Sequence, residues 1–218
     1  MQIFISGTDT NIGKTIISAW LCLHTKYAYF KPIQTGSLEQ LDSKVVSDLS
    51  TDIQIYPEIY LYKTPVSPHL AAILEKQEID ISKIKLPNHK NLIIEGAGGL
   101  LVPLNKKYFI IDLIFYLDIP VILVASSRLG TINHTLLSLE ELKRRNINTL
   151  GVIINGEPNQ DIVDSIEYYG NVKVLAQFPL IKGIDINTLN QIPLSNNLKL
   201  IFNTPHFDEP RGTPPLIL

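Results

Sequence analysis

The sequence predicts a single α/β domain whose mostly parallel sheet carries helices on both faces. Three observations predict it. Short apolar runs alternate with amphipathic stretches along the chain. Most of those runs are continuously apolar, the pattern of strands covered on both sides. Polar and glycine residues fall just beyond the runs, where ligands gather in sheets of this kind.

The expected strands are 2–6, 27–31, 91–95, 120–125, 149–155 and 173–177, and the expected helices are 14–25, 43–50, 68–77, 110–117, 131–146 and 161–169. Strand, helix, strand repeated in this order implies right-handed crossovers and a parallel sheet. In the fifth helix Leu136, Leu137, Leu139 and Leu142 are expected to face inward, with Glu140, Glu141, Lys143, Arg144 and Arg145 in water. There are no repeats and no low-complexity linker, so 1–218 reads as one domain. Pro205, Pro210, Pro214 and Pro215 predict an extended tail over 203–218.

Composition narrows the function classes. The 218 residues are 45% hydrophobic and 18% charged with a net charge of −2, which argues against disorder and against a basic nucleic-acid binder. A lone cysteine, Cys22, forbids an intramolecular disulfide and points to a reducing compartment. Met1-Gln2-Ile3-Phe4 runs directly into a strand pattern without a basic leader, so no signal peptide is expected. The most apolar stretch, 109–125, contains Asp112, Asp118 and Pro120, a poor composition for a bilayer. The expectation is a cytoplasmic protein.

Beyond the first strand comes Gly7-Thr8-Asp9-Thr10-Asn11-Ile12-Gly13-Lys14-Thr15, followed by a helix. Glycines let backbone N–H groups turn toward a polyphosphate, and the helix start adds positive potential. Lys14 is placed to reach the β- and γ-phosphates and Thr15 to offer its hydroxyl to Mg²⁺. The loop departs from G-x-x-x-x-G-K-[ST] because Thr8 holds the first position and Gly7 lies one residue early. Asp9 stands where P-loop switch ATPases carry a second lysine, so the likeness to those switches is one of fold.

Two further clusters belong to the same strand ends. The run 91–95 closes on Glu95 and the group Gly96-Ala97-Gly98-Gly99, a carboxylate suited to Mg²⁺ beside glycines that admit a ligand. Lys31-Pro32-Ile33-Gln34-Thr35-Gly36 follows the second strand and brings a second ammonium group toward Lys14.

In order, G-T-D-T-N-I-G-K-T, K-P-I-Q-T-G, P-V-S-P-H, E-G-A-G-G-L, L-G-T-I-N-H and G-V-I-I-N span Gly7 to Asn155. This series resembles the dethiobiotin synthetases, a P-loop NTPase-like family, and K-P-I-Q-T-G together with E-G-A-G-G is its specific part. The resemblance implies an ATP-dependent cyclo-ligase that closes a ureido ring from 7,8-diaminononanoate (7,8-diaminopelargonate), CO2 and ATP with Mg²⁺, through a carbamate and a carbamic–phosphoric anhydride.

Carried over residue by residue, the resemblance makes Lys31 and Lys14 the catalytic cations and Thr35 a contact to the diamine. Thr10, Asn11, Ile12, Gly13, Lys14, Thr15 and Ile16 would wrap the triphosphate, with Glu95, Gly96, Ala97 and Gly98 near the γ-phosphate. Asn155 would meet the adenine edge. Thr15, Glu95 and an aspartate would hold Mg²⁺. For that aspartate Asp42 is preferred to Asp48, because it can cap the following helix. Thr131, Ile132 and Asn133 open the long helix, which in the family comes from the neighbouring subunit and holds the substrate carboxylate. A homodimer follows from that.

Two other readings stay open: a P-loop switch protein, and a small-molecule kinase or synthetase on the same fold. Against a kinase, no arginine-rich lid is visible. His24, His69, His89, His134 and His206 lack metal-ligand spacing, and Cys22 and Trp20 read as core. Tyr56, Tyr60 and Tyr62 read as strand or interface packing. Past Asn155 the resemblance thins; Pro179 matches a family strand end, but 181–197 shows no long helical pattern.

Overall fold

A computed structural model of the chain describes residues 1–38 and 40–203. The first half runs β1 (Gln2–Gly7), α1 (Lys14–Thr25), β2 (Ala28–Phe30), β3 (Ile33–Gln34), α2 (Asp42–Leu49), β4 (Ile55–Tyr56), β5 (Tyr60–Leu61), α3 (Pro68–Leu74) and β6 (Leu92–Gly99). The second half runs α4 (Ile110–Leu117), β7 (Val121–Ser126), α5 (Thr131–Arg144), β8 (Thr149–Asn155), α6 (Gln160–Gly170), β9 (Val174–Phe178), α7 (Ile186–Asn190) and α8 (Asn196–Asn203).

Seven strands form one sheet in the order β4-β2-β6-β1-β7-β8-β9, and every pairing is parallel. From β1 the chain first builds outward on one side, then returns through β6 and builds β7, β8 and β9 on the other. Such a reversal opens a crevice at the carboxyl ends of the central strands. The loop after β1 and the residues closing β2 and β6 all lie there.

Both faces of the sheet are covered, which is why its strands read as unbroken apolar runs. Side chains alternate across it with period two. Phe4, Ala28, Phe30, Leu92 and Ile94 pack on one face with Ile111, Leu113 and Ile114 of α4. Ile3, Ile5, Tyr29 and Ile93 pack on the other with Ile17, Trp20 and Leu21 of α1. Trp20 and Cys22 are core residues as expected; the Trp20 indole donates to the Ile192 carbonyl at 2.7 Å and meets Phe178 edge-on.

Several expectations need correction. Leu137 is 63% exposed. It sits about 200° around the helix from Thr135, whereas Thr131, Thr135, Leu139 and Leu142 make the buried stripe. Arg145 is only partly in water, because its guanidinium donates to Asp112 at 2.6 Å. The helix expected at 43–50 begins one residue earlier, at Asp42. The strand expected at 91–95 runs further, through Gly96-Ala97-Gly98 to Gly99, which pairs with Gly7 past a register shift.

A second, two-stranded parallel sheet joins β3 to β5, and the K-P-I-Q-T-G segment is half of it. Tyr56 and Tyr60 fall in strands, and Tyr62 is fully buried with its ring stacked on Tyr60. Within 181–197, where no long helix was expected, the short α7 forms and α8 begins only at Asn196. Of the predicted tail, Asn203 closes α8, and 204–218 lie outside the described residues. No helix among the described residues is long and apolar enough to cross a membrane.

Candidate active site

The loop between β1 and α1 turns on a glycine whose backbone would strain any other residue. Gly13 precedes α1 with φ 87°, and a Cβ there would stand 2.2 Å from the Asn155 amide nitrogen. Both the left-handed backbone and the close approach demand glycine. Asn155 in turn donates from Nδ2 to the Ile12 carbonyl at 2.8 Å. The side chain expected at the adenine edge therefore braces the loop from the end of β8. Thr8 enters the loop by donating its N–H to the Val124 carbonyl at 2.9 Å, so the non-glycine first position is accommodated by a strand-like bond to β7.

Lys14 is the first residue of α1, and its ammonium donates back across the loop to the Asp9 carbonyl at 2.9 Å. It is 6% exposed. Burial brings its pKa down from the ordinary lysine value to about 8; Glu95 opposes the shift and Lys31 adds to it. Two buried lysines thus repel one another across the crevice floor. The nearby carboxylates of Glu95 and Asp42 offset that repulsion.

The register of β2 on β6 explains how. Tyr29 pairs with Ile93 and Phe30 with Ile94, so Lys31 and Glu95 come opposite each other one step on, on the face covered by α1. Lys31 Nζ donates to Glu95 Oε1 at 3.0 Å and also to Asp42 Oδ2. Glu95 is fully buried, with Oε1 also accepting from the Thr15 hydroxyl at 2.9 Å and Oε2 from the Tyr29 hydroxyl at 3.0 Å. Burial works to lower the Lys31 pKa, yet Glu95 and Asp42 outweigh it and hold the ammonium above its ordinary range.

Asp42 reaches this cluster, but not for the reason the sequence offered. It is the first helical residue of α2, Leu41 takes the cap position, and the aspartate makes no capping bond. Its carboxylate goes to Lys31 instead. Asp48 pairs with Lys44 at the protein surface, away from the crevice.

Thr15, Glu95 and Asp42 together offer one hydroxyl and two carboxylates. An all-oxygen set suits Mg²⁺ and not a softer metal. The Lys31 ammonium, seated between the same two carboxylates, shows that this edge accepts a cation.

Other expected residues lie on the surrounding elements. Thr10 and Asn11 are exposed on the loop, Ile12 is buried beneath it, and Ile16 is half-buried in α1. Gly96 backs onto the core, where a Cβ would stand 2.6 Å from the Phe4 ring. Ala97 and Gly98 follow it in β6, with Gly98 at φ 69°. Thr35 follows β3, four residues past Lys31, and its carbonyl accepts from Gln34.

Thr131, Ile132 and Asn133 open α5 after Gly130 and take no part in the Lys31–Glu95 network. The Thr131 hydroxyl is buried without a partner among the described residues. The sequence reading missed Tyr29; its signal was the spacing of two from Lys31 on one strand, which puts both side chains on one face.

A phosphate loop at the end of β1, a carboxylate on the neighbouring strand and a helix start behind them define a P-loop nucleotide-binding protein. The family model described as an AAA domain matches residues 1–188. The chain is 59% identical to the ATP-dependent dethiobiotin synthetase BioD of Lawsonia intracellularis, over 93% of this chain and 99% of that one. It is 44% identical to the protein of the same name from Paramagnetospirillum magneticum, over 88% and 94%. The chain belongs to the dethiobiotin synthetase family. At the level of fold alone it matches a chain of the MinC:MinD cell division protein complex of Aquifex aeolicus, with a TM-score of 0.52, 12% identity and coverage of 87% and 85%.

Proposed function

We propose that this chain, acting as one domain, makes dethiobiotin from 7,8-diaminononanoate, CO2 and ATP, an ATP-dependent ligation in biotin biosynthesis. One observation carries the reading: Lys14, Lys31, Glu95, Thr15 and Asp42 converge at the carboxyl ends of β1, β2 and β6. That cluster matches a reaction whose every step builds negative charge between a carbamate and a phosphoryl group.

One substrate amine takes up CO2 as a carbamate. A carbamate oxygen then attacks the γ-phosphorus and ADP leaves, giving a carbamic–phosphoric anhydride. The second amine attacks the anhydride carbonyl, phosphate leaves, and the ring closes. The protein has little covalent work to do, so positioning and electrostatic stabilisation supply the acceleration.

Lys14 and the N–H groups from Thr10 to Ile16 would hold the triphosphate. Gly96, Ala97 and Gly98 border the γ-phosphate position. Lys31, cationic over the whole working pH range, would balance charge on the carbamate and the transferring phosphoryl group. Thr35 would contact the diamine. Thr15, Glu95 and Asp42 would hold Mg²⁺. When bound, that ion would draw charge from the β- and γ-phosphate oxygens. Asn155, at the strand end beside the loop, would place the base.

The carboxylate end of the substrate would meet the start of α5 from a second subunit, where free N–H groups favour an anion. A homodimer is then required for turnover. A cytoplasmic location accords with a single, buried cysteine.

The test is phosphate release from protein, Mg²⁺, ATP and bicarbonate, with and without 7,8-diaminononanoate. Release that requires the diamine is expected, with dethiobiotin formed in equal amount. Release indifferent to the diamine would overturn the assignment in favour of a nucleotide switch.

A further inference from the structure

The carboxylate of Glu95 has two oxygens, and the structure uses them differently. Oε1 accepts from Thr15 Oγ1 at 2.9 Å and from Lys31 Nζ at 3.0 Å, and so faces the crevice. Oε2 accepts from the Tyr29 hydroxyl at 3.0 Å. Tyr29 is fully buried in β2, hydrogen-bonded into the sheet between β4 and β6, with its ring in the core beside α1. Its phenol is held from the side by packing, and its oxygen is aimed at one carboxylate atom.

This matters because the last torsion of a glutamate is soft. Its carboxylate plane has no sharp rotamer preference and can turn with little resistance. Thr15 and Lys31 restrain the group through Oε1 alone, from the crevice side. A donor on Oε2 holds it from the core side as well. It also satisfies a buried acceptor that would otherwise be left without a partner.

We propose that Tyr29 is a positioning residue for this site: its hydroxyl fixes the plane of the Glu95 carboxylate so that Oε1 is presented, beside the Thr15 hydroxyl, to the divalent cation that accompanies the nucleotide. The inference rests on the reading of Glu95 as a metal ligand given above. Tyr29 touches no reacting atom and acts through Glu95. A phenol is an O–H donor at neutral pH, and this one is 3.0 Å from Oε2. Groups that orient a metal-binding carboxylate from behind typically change metal affinity by about 10- to 100-fold when removed.

The experiment uses the full-length protein loaded with ADP, with Mn²⁺ as a paramagnetic probe of the divalent site and free Mn²⁺ counted by electron paramagnetic resonance. Tyr29→Phe, which keeps the ring, is expected to weaken Mn²⁺ by about 10-fold or more. Its affinity for ADP without metal should equal that of the unmodified protein, and its turnover should fall while KM for the diamine stays unchanged. Glu95→Gln should weaken Mn²⁺ further, and the double variant should lose no more than Glu95→Gln alone. If Tyr29→Phe does not fold, Tyr29→Met removes the same donor and is read in the same way. A donor-less variant that binds Mn²⁺ within twofold of the unmodified protein, while Glu95→Gln loses it, overturns the role of Tyr29. Mn²⁺ retained by Glu95→Gln instead overturns the reading of Glu95 as a ligand.

Discussion

The ammonium of Lys31 lies 3.0 Å from Glu95 Oε1, and Asp42 closes on it from the other side. Two carboxylates that are read as the grip for a divalent cation therefore already share one ammonium of the same protein, which offsets half their charge. The buried charges are tolerated as a set, since any one of them alone at this depth would be costly.

Lys31→Ala should retain nucleotide binding, because Lys14 and the loop N–H groups stay in place and Lys14 is freed from the repulsion of a like charge. Turnover should fall by about 100- to 1000-fold, the cost of removing one group that stabilises developing negative charge. Calorimetric titration with ADP and a turnover assay on the same preparation check both halves. Undiminished turnover would remove Lys31 from its catalytic role.

Asp42 and Asp48 should separate cleanly. Asp42→Asn is expected to raise the Mg²⁺ concentration needed for half-maximal turnover by about 10-fold or more. Among the described residues Asp48 forms only an exposed i,i+4 pair with Lys44, so Asp48→Asn should leave that requirement unchanged and cost at most about 0.5 kcal/mol of stability. Magnesium titrations of the two variants decide between them.

If α5 completes the neighbouring subunit's site, two inactive variants should rescue each other. Lys31→Ala and Asn133→Trp, refolded or co-expressed as a one-to-one mixture, should regain roughly a quarter of the unmodified activity, since half the dimers are mixed and each has one intact site. A mixture as inactive as its parents would mean that each subunit works with its own residues.

Tyr62 offers a stability test away from the crevice. Its hydroxyl is fully buried, has no hydrogen-bond partner among the described residues, and is pushed up to about 12 by desolvation. A folded-state pKa above the unfolded one means that stability is fully present below pH 10 and lost as pH rises toward 12, by about 2–3 kcal/mol. Tyr62→Phe should remove that portion of the alkaline loss. It should also stabilise the protein at neutral pH by on the order of 1 kcal/mol, by deleting an unsatisfied donor. Thermal melts across this pH range give both numbers.

Much of this molecule was legible from local pattern. The strand runs, the loop before α1, Lys31 and Glu95 could all be placed because each sits where a periodic segment ends. The second sheet of β3 and β5 was not legible, since two-residue strands carry no period. Leu137 was misplaced because four leucines in seven residues hide which of them share the 100° stripe.

Asp42 came out at the crevice although the capping argument for it was wrong, because charge neutralisation by Lys31 decides where its carboxylate points. Asn155 was seen only as a contact for the base, and the brace it gives the loop joins positions 143 residues apart.

The order of residues along the chain sufficed to determine the class of fold, the family and the polar groups at each strand end, because these follow from short-range periodicity and spacing. What the tertiary structure alone decided is which oxygen of Glu95 meets which donor. That depends on the register of β2 against β6, a pairing of segments more than sixty positions apart. No local spacing encodes it, and the packed core enforces it: a one-residue slip would turn Tyr29 and Lys31 to the opposite face and leave Glu95 buried without them.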